Sequence, residues 1–154
     1  LYLSNFDRQL DPKRRIVLPA EFRFVDAGKT EDVYCFPSVE DDCIDGGGLD
    51  YYKGYLKLID DLPAGDPVRI ALEATICSEV VKLSCDPAGR ITLPERFCEA
   101  FDITDWVTVA GARDHFQIWS REAYAARRDR QRAIARDGLA ALAAEKRRAQ
   151  TAAA

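Results

Sequence analysis

The sequence predicts an α+β, mainly β fold: one small unit repeated in tandem, with short helices and a long C-terminal helix. Three observations carry this. A twelve-residue segment recurs, alternating apolar runs flank Gly- and Pro-marked turns, and the chain from Arg121 onward is rich in Ala, Arg and Glu.

The repeat comes first. Asp11-Pro12-Lys13-Arg14-Arg15-Ile16-Val17-Leu18-Pro19-Ala20-Glu21-Phe22 aligns without gaps to Asp86-Pro87-Ala88-Gly89-Arg90-Ile91-Thr92-Leu93-Pro94-Glu95-Arg96-Phe97. Seven of the twelve positions are identical, so the chain is a tandem duplication. Each copy reads as hairpin turn, short strand, then helix. Asp86-Pro87-Ala88-Gly89 suits a type I turn, with Pro fixing φ and Gly89 supplying the left-handed residue of a three-residue hairpin. In Arg90-Ile91-Thr92-Leu93, Ile91 and Leu93 face inward, Arg90 and Thr92 outward. Pro94 suits the first helical position, where a missing N–H costs nothing. Phe97 and Phe101, four apart, share one helix face.

Further hairpins follow in both copies. Val107-Thr108-Val109-Ala110, a turn at Gly111-Ala112-Arg113-Asp114, and Phe116-Gln117-Ile118-Trp119 form one; Val33-Tyr34-Cys35-Phe36 with a return near Cys43-Ile44 echoes it. A unit this small buries little surface alone, so the two must pack together. Between them Gly46-Gly47-Gly48 breaks the chain, and Tyr51, Tyr52, Tyr55, Leu56 and Ile59 recur at helical spacing. Residues 62–67 are a loop, and 68–78 read as a linker helix, although Val68, Ile70 and Leu72 also suit a strand. A long helix is expected from Arg121 to about Arg148, sparsely apolar at Tyr124, Ile134, Leu139 and Leu142. Gly138 weakens it by about 1 kcal/mol. The final Thr151-Ala152-Ala153-Ala154 is expected to fray. These readings divide the chain into repeat 1 (6–52), a linker with helix (53–81), repeat 2 (82–125) and a C-terminal helix and tail (126–154).

Composition bounds the function. The 154 residues are 47% hydrophobic and 31% charged, a globular balance. No apolar run nears the roughly 20 residues of a membrane span, and LYLSNFDRQLD lacks a signal-peptide pattern. Met is absent, so native residues are expected ahead of Leu1. Five cysteines without a C-x-x-C pair are expected to be reduced thiols. With His115 as the only histidine no metal site is expected, and no cofactor. Asp114-His115 with Ser120 lacks a nucleophile elbow, and the glycine run lacks a phosphate-loop Lys, so an enzyme is not expected. Net charge is −4, yet from Arg121 onward nine Lys/Arg meet four Asp/Glu, a local +5 that leaves −9 on the first 120 residues. An acidic body can bind DNA through basic patches aimed together.

The paired D-x-x-x-R turns, each followed by an apolar strand, Leu-Pro and a short helix, resemble the AbrB/SpoVT swapped-hairpin fold. Two copies in about 150 residues, with Phe116-Gln117-Ile118-Trp119 closing the second, resemble the MraZ family; the likeness runs from Leu3 to Tyr124. The resemblance implies a pseudo-twofold double barrel, assembled as a homo-oligomeric ring. It implies a cytoplasmic, nucleoid-associated transcription regulator binding direct repeats upstream of the division and cell-wall gene cluster. It also places the DNA contacts in Asp11 to Arg15 and Asp86 to Arg90. Where the family usually has Gly, this first copy has Arg14: either the turn is retained and Arg14 is left-handed at about 1 kcal/mol, or the first turn has a different shape.

The expected DNA-binding residues are therefore Lys13, Arg14, Arg15 and Arg90, with Asp11, Asp86 and Gly89 orienting the motif. Arg15 and Arg90 have a second role open to them, as ion-pair partners of Asp11 and Asp86, and both roles can hold together. An arginine fork suits phosphate or the guanine edge, whereas Lys13 and Arg14 suit phosphate contacts that position without specifying. Three adjacent cations predict more phosphate affinity at the first tip than at the second. Arg127, Arg128, Arg130, Arg132 and Arg136 read more readily as a solvated helix face than as a groove reader. The alternative function is an AbrB-like antitoxin or assembly module whose main partner is protein.

Overall fold

Strands pair between the two copies more than within them. The computed structural model describes residues 1–23, 25, 26, 29, 30 and 32–153, with 25, 26, 29 and 30 as backbone alone. The first copy supplies β1 (Asn5–Gln9), β2 (Arg15–Val17), β3 (Val25–Asp26), β4 (Lys29–Thr30), β5 (Val33–Pro37) and β6 (Ile44–Gly47). The second supplies β7 (Val81–Leu83), β8 (Arg90–Thr92), β9 (Trp106–Gly111) and β10 (Phe116–Ser120).

The D-x-x-x-R turns read from sequence as hairpin turns, but their flanking strands find other partners. β1 pairs with β9, β7 with β5, and β2 with β8, all antiparallel. The six-stranded sheet runs β1-β9-β10-β6-β5-β7, and β2-β8 is a separate ribbon. Exchanging copies maps this order onto itself. The approximate twofold passes through two pairs that face their own equivalents, Ile16 with Ile91 and Asp45 with Gln117. The physical reason for the crossing is burial: each three-residue strand has one inward isoleucine, and pairing the two puts both over one shared core.

That core joins the ribbon to one sheet face. Ile16, Leu18, Ile91 and Leu93 pack with Val33, Cys35, Ile44, Val107, Val109, Phe116 and Ile118. Phe22 and Phe97, equivalent in the repeat, are both buried there. Phe116 lies opposite Gly46, where an added Cβ would sit 2.5 Å from its ring. Close approach explains why Gly46 and Gly47 continue β6 instead of breaking it as expected; only Gly48 caps the following helix.

On β5 the alternate residues Tyr34 and Phe36 join a second cluster with Tyr52, Ile59 and Ile76. It is built by α1 (Leu49–Asp60) and α2 (Pro67–Leu72). Asp66 caps α2, its carboxylate accepting from Val68 N at 2.7 Å. A π-helical turn, Glu73–Cys77, extends α2, so residues 68–78 are helical and not a strand. In the second copy α3 (Glu95–Ala100) follows the ribbon; Pro94 lies just outside it with extended ψ, not at its first position. Its equivalent in the first copy is only a 3₁₀ turn, Ala20–Phe22.

The described residues form two compact units, Leu1–Arg121 and Glu122–Ala154. The helix α4 (Arg121–Ala153) has no buried residue. It continues through Thr151–Ala153, where fraying was expected, because Ala and Arg are strong helix formers and Thr151 Oγ1 donates to Arg147 O. Among the described residues no helix is long and apolar enough to cross a membrane.

Candidate nucleic-acid interface

The two turns adopt one geometry. Arg14 N donates to Asp11 O at 3.0 Å, and Gly89 N to Asp86 O at 2.8 Å. Each Asp carboxylate then organises its loop through one oxygen. Asp11 Oδ1 accepts from Lys13 N (2.9 Å) and Arg15 N (2.8 Å); Asp86 Oδ1 accepts from Ala88 N (2.9 Å) and Arg90 N (2.8 Å). The second oxygen takes the arginine: Arg15 Nε and Arg90 Nε each donate at 2.6 Å. These bonds, foremost the backbone N–H of the following arginine, hold both carboxyls below the usual carboxylate range against the opposing effect of burial.

Arg14 has φ of 60° and Gly89 of 79°. The turn is thus retained in the first copy, with Arg14 left-handed, and the alternative of a differently shaped turn falls away. Part of the strain is offset by Arg14 Nε, which donates across to Leu93 O of the second copy at 3.2 Å. That contact uses Nε and not the terminal nitrogens.

The ribbon register brings the two guanidinium groups together. Arg15 faces Thr92 and Val17 faces Arg90, so Arg15, Val17, Arg90 and Thr92 share the outer face while Ile16 and Ile91 share the inner one. Arg15 and Arg90 are diagonal neighbours, about 7–8 Å apart at the backbone. Neither is buried: their side chains retain 28% and 36% exposure. Because each Asp engages only Nε, the ion pair orients each fork without using its terminal nitrogens in that bond.

Sequence reasoning missed Arg8. Its Nε donates to Val17 O at 3.1 Å, and its guanidinium lies 5.2 Å from the Phe6 ring centroid. The repeat places Leu83 at the corresponding position, so Arg8 adds a cation beside the ribbon on one side only. Nothing in the linear sequence signalled this, since it depends on where β1, paired with β9, brings Arg8 relative to the ribbon. His115 is stacked on Tyr51, with ring centroids 4.6 Å apart. Its ring nitrogens lie 2.7 Å from Asp114 Oδ1 and 3.6 Å from buried Asp45. Burial raises the Asp45 carboxyl, partly countered by Ser38, His115 and Gln117.

Comparisons with known proteins converge. The family profile described as "MraZ protein, putative antitoxin-like" matches residues 76–144. A protein of Phenylobacterium zucineum (strain HLK1) named Transcriptional regulator MraZ is 53% identical over 152 residues, covering 99% of this chain and 95% of the relative. Its namesake in Caulobacter vibrioides (strain NA1000 / CB15N) is 50% identical over 150 residues, covering 97% and 96%. That of Hyphomonas neptunium (strain ATCC 15444) is 29% identical over 135 residues, covering 87% and 81%.

Proposed function

The chain belongs to the MraZ family, and we propose that it is a sequence-specific DNA-binding transcriptional regulator working from the cytoplasm at the nucleoid. On this reading it binds direct repeats upstream of the division and cell-wall gene cluster as a homo-oligomeric ring. The interleaved strands are then the AbrB/SpoVT swapped-hairpin arrangement, with residues 6–52 and 82–125 as its two halves.

The observation that carries the reading is the shared outer face of Arg15 and Arg90. Two oriented, partly exposed forks on a two-stranded ribbon suit a duplex: a β-ribbon fits the major groove, and each fork can bridge guanine O6 and N7 or a phosphate. Lys13 and Arg14 at one tip supply charge that positions the ribbon without reading bases. A ring multiplies such ribbons at a fixed spacing, and repeated operator sites require that spacing. The family members named above are transcriptional regulators by name, and no catalytic role is needed to account for the site.

The test is a salt titration of binding to the chain's own upstream promoter against a random duplex of equal length, with mass by light scattering. Affinity for the promoter should exceed that for random DNA and fall with log–log slope of about −0.9 per phosphate neutralised. Flat salt dependence, or no preference for the repeats, transfers the function to a protein partner. A monomeric mass in the presence of promoter DNA removes the ring.

A further inference from the structure

The sequence gives the first tip three adjacent cations and the second a single one, yet the fold narrows that difference. A Cβ added at Gly89 would collide with Nη1 of Arg23 and lie 3.0 Å from its Cδ. Arg23, a first-copy residue, therefore lays its side chain directly over the second copy's tip. In the repeat, Arg23 is equivalent to Cys98 and Gly89 to Arg14. The mirror site shows the reverse assignment. There Arg14 crosses to Leu93 O, and its charge acts on the Cys98 thiol. Each pseudo-equivalent pair of positions, 14 with 98 and 89 with 23, thus holds one arginine and one small residue. The guanidinium comes from the tip on one side and from behind the tip on the other.

From this we infer that Arg23 is a fifth DNA-contacting residue, a phosphate ligand that works with Arg90 at the second tip. Its state fits. The Nε atom is buried and has no hydrogen-bond partner among the described residues, and no ion pair of Arg23 occurs among them. A half-buried guanidinium with no acidic partner among the described residues is one that an anion would satisfy. Gly89 is then required twice over, for its positive φ and because any side chain there would displace Arg23. Arg14 meets no such conflict, because the residue behind its tip is Cys98.

This inference rests on the DNA-binding reading, and one experiment separates the two. The full chain and its Arg23→Gln, Arg23→Lys and Arg90→Gln variants are titrated onto the promoter duplex by fluorescence anisotropy, from about 50 to about 200 mM salt. Arg23→Gln should flatten the log–log slope by about 0.9, one phosphate, while Arg23→Lys keeps the wild-type slope. A merely structural Arg23 would change thermal unfolding and leave the slope alone. If Arg90→Gln flattens the slope and Arg23→Gln does not, the Arg23 assignment is wrong while DNA binding stands. If the wild-type chain shows no salt-dependent binding, both readings fall. Should Arg23→Gln fail to fold, arginine Nε NMR of the wild-type chain decides. The Arg23 signal must shift on adding duplex together with that of Arg90, and an unmoved signal overturns the assignment.

Discussion

Replacing Arg14 by glycine separates what the first tip does for the fold from what it does for DNA. At φ of 60°, a non-glycine residue carries about 1–2 kcal/mol of backbone strain, which Arg14→Gly removes. Against that, the variant loses the Nε bond to Leu93 O, about 0.5–1.5 kcal/mol. It also frees the unfolded chain by about 0.4–1 kcal/mol. The terms cancel to within about 1 kcal/mol, so Tm should move by no more than about 4 °C. Binding should respond differently. Losing one phosphate contact flattens the salt slope by about 0.9, so the affinity lost between 50 and 200 mM salt shrinks roughly 3–4-fold. Differential scanning fluorimetry and anisotropy titration on the same preparations read both quantities. An unchanged slope would show that Arg14 is no phosphate contact. A Tm loss well beyond about 8 °C would show that the cross-strand bond outweighs the strain, making Arg14 a folding element.

Two further outcomes follow from the site. The Asp11 and Asp86 carboxyls are depressed below their ordinary value of 3.8, so their ionised forms favour the folded tips. That contribution is complete above the ordinary value and lost as pH falls through the depressed one. Hydrogen exchange should therefore show the Arg15 and Arg90 amides protected at mildly acidic pH and released in stronger acid; protection unchanged by acid would mean the carboxylates do not hold the turns. Among the thiols, Cys77 is exposed, whereas Cys35 and Cys43 are fully buried and burial pushes Cys35 up to about 12. A chromogenic disulfide at mildly alkaline pH should label Cys77 at once and Cys35 and Cys43 only after unfolding. Rapid labelling of all five in the native chain contradicts the packing described.

Much of the site was legible because its chemistry is local. An Asp whose carboxylate bonds the amides two and four residues ahead needs only a few residues to act, so both turns could be read directly. At Arg14 the repeat narrowed the matter to two outcomes, a left-handed residue or a different turn, and the tertiary structure chose the first. The helical reading of 68–78 also held, because a cap at Asp66 and a Pro at the first position act within one turn. Pro94 was misread by a single position because both placements leave its absent N–H unmissed. The glycine run was misread because the need for Gly46 comes from Phe116, seventy residues away and on the other copy.

Duplication, turn type, the inward isoleucines and the outward arginines were all present in the order of residues, since each depends on neighbours within a few positions. Long-range pairing was not. Whether β2 meets β1 or β8 is a choice between strands of similar composition, settled by which pairing buries Ile16 and Ile91 over one core. That choice places Arg15 beside Arg90, brings Arg8 to Val17, and carries Arg23 over Gly89. Periodicity tells which face of a strand is wet, but the strand lying alongside depends on burial summed over the whole core.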